Sequence, residues 1–152
     1  MSRRPDLDLA ALREDGRVVW TEDILRFGDT DANGHINNAA FAVFCESGRV
    51  NLLHDALAPV RERGGFFVIV KLTIEFKAEL HYPGRVHCGT WILALGRSSV
   101  TFGQALLDDA GRLVATSEAV TVAMDGGTRR PTQLEGAVRA AIEPMLRPEM
   151  GA

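Results

Sequence analysis

The clearest pattern in the chain is an alternation of apolar and mostly polar side chains between residues 68 and 77. The apolar positions are Val68, Val70, Leu72, Ile74 and Phe76. Successive side chains of a strand point to opposite faces of its sheet, so a period of two predicts a strand with one buried face.

Four further stretches are rich in β-branched and aromatic residues, which favour strands. They are Val18–Phe27, Val86–Leu95, Ser99–Leu107 and Arg112–Met124. The last three are separated only by short segments rich in Gly, Ser and Asp, and short connections favour antiparallel pairing.

Between Asn38 and about Leu57 the apolar residues change to a helical period. Phe41, Phe44, Cys45, Gly48 and Leu52 follow the spacing i, i+3, i+4, i+7, i+11, which defines one face of a helix. Apolar residues also occur on the other sides, which predicts a buried helix. A glycine on the packed face indicates a close approach to a sheet.

These elements predict an α+β domain in which an antiparallel sheet of about five strands wraps around one long buried helix. Thr132-x-x-Glu135 resembles a capping box and predicts a short C-terminal helix. We expect residues 1–15 to be loosely ordered and residues 16–147 to form the single domain. Open sheet edges favour pairing with a second copy, so we predict a homodimer or homotetramer.

Composition narrows the functional classes. The 152 residues are 46% apolar and 24% charged, with a net charge of −3, which is typical of one soluble globular domain and argues against a nucleic-acid binder. No apolar run is long enough to cross a bilayer, and the N-terminus does not resemble a secretory signal. Cys45 and Cys88 lack the spacing of a disulfide framework or zinc site, so we interpret them as core residues of a cytoplasmic protein.

The segment DTDANGHINN, residues 29–38, begins like a calcium-binding EF-hand loop. Such a loop requires a bidentate glutamate at its twelfth position, where this chain has Ala40, and a helix before it, where this chain predicts a strand. The four histidines also lack metal-ligand spacing. We therefore predict no metal and no redox cofactor.

The same segment joins a strand to the start of the predicted helix. The first N–H groups of a helix have no intrahelical partner and carry the positive end of its dipole. They can hold a carbonyl oxygen as it gains negative charge. Gly34 would allow close approach of a substrate, and a carboxylate in the turn would face the carbonyl carbon. This combination indicates acyl transfer, and no GxSxG pattern supports a serine hydrolase instead.

A family resemblance strengthens this interpretation. RFGDTDANGHINNAAFAVFCESGR resembles the signature of the 4-hydroxybenzoyl-CoA thioesterase family, whose members have the hotdog fold. The segments IEFKAELHYPGRV and LGRSSVTFGQAL and the TRRP near residue 130 also resemble that family. The likeness extends from about Trp20 to Leu134. Its Gly-His-Ile-Asn-Asn part is also similar to acyl-carrier-protein thioesterases, so the acyl carrier stays open between CoA and a carrier protein.

The resemblance implies hydrolysis of acyl-CoA thioesters. Asp31 matches the family's catalytic carboxylate, acting as nucleophile or general base, and the Asn38 N–H matches the donor to the thioester oxygen. A second donor is expected from the partner subunit, near Gly64 and Gly65. A thiol has a pKa near 8.5, so the leaving thiolate needs little help from an acid.

Other residues near this segment receive structural or supporting roles. We expect Asp29 to cap the turn and His35 to orient it. Asn37 and Asn38 would bond to the backbone or position a water. Glu46 is expected to pair with Arg49, and it is also the reserve base, because some hotdog thioesterases place their catalytic carboxylate on this helix.

A CoA substrate carries several phosphates. Arg97, Ser98, Arg129 and Arg130 follow turns or strand ends where a nucleotide could lie. Two alternatives to hydrolysis remain: a non-catalytic acyl-CoA-binding or regulatory hotdog protein, and a hotdog hydratase or dehydratase, which the motif disfavours. Acyl chain preference is not encoded in any motif.

Overall fold

One antiparallel sheet and one long helix make up most of the domain. A computed structural model of the protein describes residues 6–150, and the first five residues of the predicted N-terminal segment lie outside this range. The elements are α1 Leu9–Glu14, β1 Val19–Ile24, a 3-10 turn Phe27–Asp29, α2 Asn38–Leu53, α3 Ala58–Glu62, β2 Phe66–Phe76, β3 Arg85–Leu95, β4 Ser99–Leu107, β5 Leu113–Met124, α4 Gly136–Ile142 and a 3-10 turn Glu143–Met145. The predicted α+β class, five strands, long helix and short C-terminal helix are confirmed.

The sheet has the strand order β1-β3-β4-β5-β2, and every pair is antiparallel. The consecutive strands β3, β4 and β5 form hairpins, as their short connections predicted. β2, which follows the helices, pairs with β5 at the far edge. β1 and β2 are therefore the two edge strands, and each offers unpaired backbone groups on its outer side.

The inner face of α2 packs on the middle of the sheet. Phe41, Phe44, Cys45, Gly48 and Leu52 are all buried, as their helical spacing predicted. A Cβ at position 48 would lie 2.6 Å from the Thr90 hydroxyl oxygen and 2.9 Å from the Cys88 sulfur. The predicted close approach of helix and sheet at Gly48 is thereby confirmed.

The outer face of α2 differs from the prediction that the helix is buried on most sides. In the single chain, Val43 is 54% exposed and Val50 is 56% exposed. The helix also ends at Leu53, four residues before the predicted end, and α3 starts separately at Ala58 with a proline in its first turn. The apolar outer face is thus uncovered in a single copy of the chain.

The alternation in β2 is interrupted by a bulge. The register between β2 and β5 shifts between Ile69 and Lys71, so Val70 is the inserted residue. Beyond the bulge, Leu72, Ile74 and Phe76 lie opposite the buried side of β5, as predicted. Val70, predicted to share that face, is 59% exposed.

Before the bulge, the residues that face the helix side are Phe67 and Ile69, which pair with Ala123 and Thr121. A bulge adds one residue to one strand only, so it exchanges the two faces of everything on one side of it. A strict period of two therefore predicted the wrong face for Val68 and Val70.

The predicted capping box before α4 is also wrong. Glu135 is the N-cap residue, its side chain makes no cap hydrogen bond, and Gly136 has a φ of +61°. The backbone N–H of Thr132 instead donates to the Ala123 carbonyl, which holds the segment to the end of β5. The helix nevertheless buries Val138 and Ile142.

Two further findings concern the two cysteines and the character of the helices. Cys45 and Cys88 are free and buried, and burial raises the pKa of the Cys88 thiol to about 12, which fits their prediction as core residues. Among the helices of residues 6–150, none combines the length and apolar character needed to cross a bilayer.

Candidate functional site

The turn that precedes α2 is held by backbone hydrogen bonds at both ends. The Asp31 N–H donates to the His35 carbonyl at 3.0 Å, and the Ile36 N–H donates to the Leu80 carbonyl at 2.8 Å. Gly34 has a φ of +81°, and a Cβ there would meet nothing within 4 Å. Glycine is therefore required at this position by the left-handed backbone, and the space around it is open.

Asp29 is a structural carboxylate. Its side chain is 9% exposed and accepts hydrogen bonds from the Arg26 backbone N–H at 3.0 Å and the Arg26 guanidinium at 2.9 Å. The guanidinium holds the pKa of Asp29 below its usual range. This is the capping role that the sequence predicted.

Asp31 is arranged differently. Its side chain is 24% exposed, and only one of its oxygens, Oδ1, is held, by the Asn33 N–H at 2.9 Å. The other oxygen, Oδ2, lies 3.9 Å from Nδ1 of His35. That distance is too long for a hydrogen bond, so His35 is the neighbour of Asp31 without being bonded to it.

The start of α2 leaves one amide free. Asn37 is the N-cap residue: its side-chain oxygen accepts from the Ala39 N–H and its carbonyl accepts from the Ala40 N–H, both at 3.0 Å. Within residues 6–150, the Asn38 N–H makes no hydrogen bond. The free N–H at the positive end of the helix dipole therefore belongs to Asn38. Its role as donor to a thioester oxygen, which the family resemblance implies, stays a prediction.

Two titratable residues beside this turn were not singled out from the sequence. Glu79 Oε1 lies 4.0 Å from His35 Nε2, and Glu79 Oε2 lies 3.3 Å from His81 Nε2. The Ile36–Leu80 backbone bond brings them here, and no local pattern in the sequence predicts that contact. In the part of the chain described, no group of three or more His, Cys, Asp and Glu side chains is placed to hold a metal ion.

A cleft of about 500 Å³ lies along the second half of α2. Its walls include Glu46, Arg49 and Gly65, with the aromatic rings of Phe66, Phe67 and Phe102. Asp31 is not part of its lining. The structure therefore brings the reserve base and Gly65 together at the cleft, and it places the predicted nucleophile in the turn before the start of α2.

The second donor to the thioester oxygen was expected from the partner subunit, near Gly64 and Gly65. The backbone N–H groups of both glycines already donate hydrogen bonds within their own chain. The Gly65 N–H donates to the Val60 carbonyl and the Gly64 N–H to the Arg61 carbonyl, both at 2.9 Å. A Cβ at position 65 would lie 2.7 Å from the Val60 side chain. A glycine at position 65 thus allows the turn between α3 and β2 to pack tightly beside the cleft.

The expected ion pair between Glu46 and Arg49 is not formed. Arg49 is only 8% exposed, and its Nη1 donates to the side-chain oxygen of Gln104 at 3.1 Å. Glu46 is exposed. Position 49 faces the sheet beside Gly48, so its guanidinium turns inward, away from the surface where the two side chains could meet.

The four residues expected near a nucleotide are far from Asp31 within one chain. Arg97 and Ser98 follow the end of β3, whereas the Asp31 turn is tied to Leu80, just before β3 begins. Eleven residues of strand span about 35 Å.

One of these four residues, Arg129, contacts a residue of the cleft instead. Arg129, which has a φ of +55°, and Arg130 belong to a turn after β5. The Arg129 guanidinium lies 5.0 Å from the ring of Phe66, which lines the cleft. A nucleotide near this turn would therefore approach the cleft from its Phe66 side.

Comparison with known proteins gives one family. A family model described as the thioesterase-like superfamily matches residues 25–142. This range includes the Asp31 turn, α2, the residues that line the cleft and the strands β2 to β5. It begins directly after the edge strand β1, which ends at Ile24.

Individual relatives have low sequence identity to this chain, but the matched regions cover most of both chains. YbgC of Escherichia coli O6:H1, named an acyl-CoA thioester hydrolase, is 25% identical over 120 residues, which is 77% of this chain and 90% of YbgC. YneP of Bacillus subtilis is 25% identical over 116 residues, 74% of this chain and 84% of YneP. The structure of a predicted thioesterase from Bacillus stearothermophilus superposes with a TM-score of 0.76 and 26% identity, over 86% of this chain and 97% of that chain.

Proposed function

The chain belongs to the thioesterase-like superfamily, and on that premise we propose that it hydrolyses acyl-CoA thioesters to a free carboxylic acid and CoA. The name of YbgC, an acyl-CoA thioester hydrolase, supports the choice of substrate class. No metal or redox cofactor takes part in the proposed reaction, since water, a carboxylate and one backbone donor are enough for it.

The observation that carries the proposal is the pairing of a half-held carboxylate with a free amide in one turn. Asp31 keeps Oδ2 free of backbone bonds, and the Asn38 N–H at the tip of α2 has no partner in the described part of the chain. A thioester oxygen on that amide would place its carbon within reach of the same turn. Donors aimed at the developing oxyanion lower the barrier to acyl transfer.

In the proposed reaction, Asp31 either adds to the thioester carbon or removes a proton from the water that adds to it. The carbonyl oxygen gains negative charge and rests on the Asn38 N–H. The carbon–sulfur bond then breaks and CoA leaves as a thiolate, which needs no acid because its pKa is about 8.5. If Asp31 adds directly, the acyl group is left on Asp31 as an anhydride, and a water then hydrolyses it to release the carboxylic acid and restore the carboxylate; if Asp31 acts as base, the acid is released when the thiolate leaves. His35 orients the turn through its carbonyl, which accepts from the Asp31 N–H, and the Asn37 cap keeps the helix tip in place.

A second copy of the chain is part of the proposal. The outer face of α2 exposes Val43 and Val50, and the helix-facing side of edge strand β2 exposes Leu72 and Phe76. Helices paired through a two-fold axis perpendicular to them run antiparallel, so the N-terminal half of one α2 would approach the C-terminal half of the other. The Asp31 turn of one subunit would then face the cleft of its partner, with Arg97 and Arg129 near the CoA phosphates.

The central test compares two conservative variants in a thiol-release assay. Asp31→Asn keeps the size of the side chain and the acceptor for the Asn33 N–H, and we expect it to lower kcat/KM by about 10²–10⁴-fold. Glu46→Gln, at the reserve base, should lower it by less than about tenfold. Circular dichroism and unfolding in urea establish that both variants keep the fold.

The outcomes separate the two carboxylates. A fully active Asp31→Asn would remove Asp31 from the chemistry, and an inactive Glu46→Gln beside it would move the base to α2. The same assay with acyl groups on a carrier protein decides between the two acyl carriers.

The alternative of a non-catalytic acyl-CoA-binding protein is favoured by one observation, the absence of Asp31 from the lining of the cleft. It predicts saturable binding of acyl-CoA without release of thiol. Calorimetric titration together with the thiol-release assay on the wild-type protein distinguishes it from the enzyme.

A further inference from the structure

The wall of the cleft contains a buried cation. Arg49 is 8% exposed, yet it borders the 500 Å³ cleft. Its one hydrogen bond within the described residues goes from Nη1 to the neutral amide oxygen of Gln104, and no carboxylate oxygen of residues 6–150 lies within 4 Å of it. A guanidinium has five N–H donors, so most of its donor capacity is unused.

The position of Arg49 is fixed from behind. Gln104 is fully buried, and its Nε2 donates to the Cys45 carbonyl at 2.8 Å and to the Thr90 hydroxyl at 2.9 Å. This orientation turns the Gln104 oxygen toward Arg49. The guanidinium is therefore held on one side by the core, and Arg49 also forms part of the wall of the cleft.

A buried cation without a paired anion is unfavourable. Burial lowers the pKa of Arg49, and the charge of Glu46 opposes that effect only in part. The other charged or titratable groups that line the cleft are His54 and Arg61, neither of which is an anion at neutral pH. Glu46 is thus the one anion in the wall of the cleft among the described residues, and it forms no ion pair with Arg49.

The rest of the wall is apolar and aromatic, with Leu53, Leu57, Phe66, Phe67 and Phe102. Such a wall suits the hydrocarbon part of an acyl group. A purely hydrocarbon acyl group would exclude water from Arg49 without replacing its hydrogen bonds, whereas one with an oxygen at the right point would supply them. Unpaired buried donors discriminate strongly against ligands that lack the acceptor.

We propose that the cleft takes acyl groups bearing an acceptor oxygen at the end remote from the thioester, and that Arg49 selects them by binding that oxygen, with Gln104 positioning Arg49. This inference rests on the proposed thioesterase activity. The acyl class that we infer is the ω-carboxyacyl groups, because their carboxylate supplies the anion that Arg49 lacks. A phenolic oxygen, as in a hydroxybenzoyl group, is already implied by the family resemblance and serves as the comparison.

The test uses two pairs of substrates matched in shape. Glutaryl-CoA is compared with 5-methylhexanoyl-CoA, in which an isopropyl group replaces the carboxylate. 4-Hydroxybenzoyl-CoA is compared with 4-methylbenzoyl-CoA. For the wild-type protein we expect kcat/KM to favour glutaryl-CoA over 5-methylhexanoyl-CoA by about tenfold or more, as for a hydrogen bond to a charged group. A preference confined to the aromatic pair would overturn the assignment of ω-carboxyacyl groups.

Arg49→Met keeps a long unbranched side chain and removes the donors. We expect it to abolish the preference by lowering kcat/KM for the oxygen-bearing substrate about 10- to 100-fold, with less than a threefold change for its hydrocarbon match. Arg49→Lys, which keeps the charge and loses the planar fork, should retain part of the preference. If Arg49→Met does not fold, the wild-type ratios and Arg49→Lys still decide.

Any of the following outcomes would overturn the inference. The wild-type protein could show no preference in either pair; Arg49→Met could lower activity equally on all four substrates, which indicates a structural role; or it could abolish dimerisation with the ratios unchanged, which indicates a carboxylate of a second copy as the partner. A wild-type protein that hydrolyses other acyl-CoA thioesters but none of these four would also refute it. Failure to hydrolyse any acyl-CoA would instead refute the proposed function.

Discussion

The two ends of α2 carry different halves of the proposed catalytic site. At its start, the Asp31 turn has a carboxylate with one free oxygen and a helix with one free amide, but Asp31 borders no part of the 500 Å³ cleft. Along its second half, the helix borders a cleft large enough for an acyl group, with Glu46 and Arg49 on its wall. The groups proposed for the chemistry and the cleft proposed for the acyl group thus lie near opposite ends of one helix.

This difference between the two ends of α2 indicates that a single chain contains the components of the proposed site but does not bring them together. Two-fold pairing across the exposed face of α2 is the economical way to bring the start of one helix to the cleft of another. The apolar character of that face, at Val43 and Val50, gives such pairing a driving force, because burying apolar surface is favourable.

The largest effect is expected from breaking that pairing. Val43→Glu places a charge on the exposed face of α2, at a residue that does not line the cleft. We expect the protein to become monomeric and kcat/KM to fall by about a hundredfold or more, since misplacement of catalytic groups is that costly. Analytical ultracentrifugation and the thiol-release assay measure the two effects on the same sample.

Ile24→Glu is the matched control, because Ile24 is 68% exposed on the opposite edge strand, β1. It should leave both association and activity unchanged. A monomeric Val43→Glu with full activity would show that the site is complete within one chain, and the comparison between the two ends of α2 would then need a different explanation.

Much of the fold was predictable because its signals are local. The period of the apolar residues located α2, whose start at Asn38 is confirmed, and β4 has the predicted bounds, Ser99–Leu107. The glycine on the packed face of α2 predicted the close contact at Gly48. Each of these signals depends on residues that are close to one another in the sequence.

The features that were missed depend on distant neighbours. The bulge at Val70 is set by the register with β5, and the inward turn of Arg49 is set by Gln104, 55 residues later. Thr132 and Glu135 have the spacing of a capping box, but the backbone bond from Thr132 to Ala123 holds this segment away from a helical start. Local patterns carry no information on such contacts.

The candidate site divides in the same way. Asp31, Gly34, Asn37 and Asn38 lie together because they share one turn, so the motif could predict their proximity. Glu79 reaches the turn only through the Ile36–Leu80 backbone bond. The separation of Asp31 from the cleft follows from packing across the sheet, which no spacing within the motif records.

An effect of intermediate size, on stability, is expected at Gly48, where the middle of α2 packs against the sheet. A Cβ at Gly48 would lie 2.6 Å from the Thr90 hydroxyl and 2.9 Å from the Gln104 amide nitrogen. We expect Gly48→Ala to lower the free energy of unfolding by about 1–3 kcal/mol, because overpacking forces the helix off the sheet. Unfolding in urea provides the measurement.

Gly16→Ala is the control for that variant, since a Cβ at Gly16 would meet nothing within 4 Å. Its effect should stay below about 1 kcal/mol. Should Gly48→Ala be as stable as Gly16→Ala, the helix can move away from the sheet at little cost, and the two ends of α2 are less rigidly related than their separation implies.

The smallest effect is expected at the cap of α2 and concerns the N-terminal end alone. Asn37→Ala removes the acceptor of the Ala39 N–H and should lower the free energy of unfolding by about 1 kcal/mol. It also leaves a second free amide beside Asn38, so the helix tip becomes less well defined and kcat/KM should fall, though less than in Asp31→Asn. Asn37→Asp keeps the acceptor and should preserve stability. The acyl preference, which the cleft determines, should be the same in both variants; a changed preference in Asn37→Ala would mean that the two ends of α2 act as one site already within the single chain.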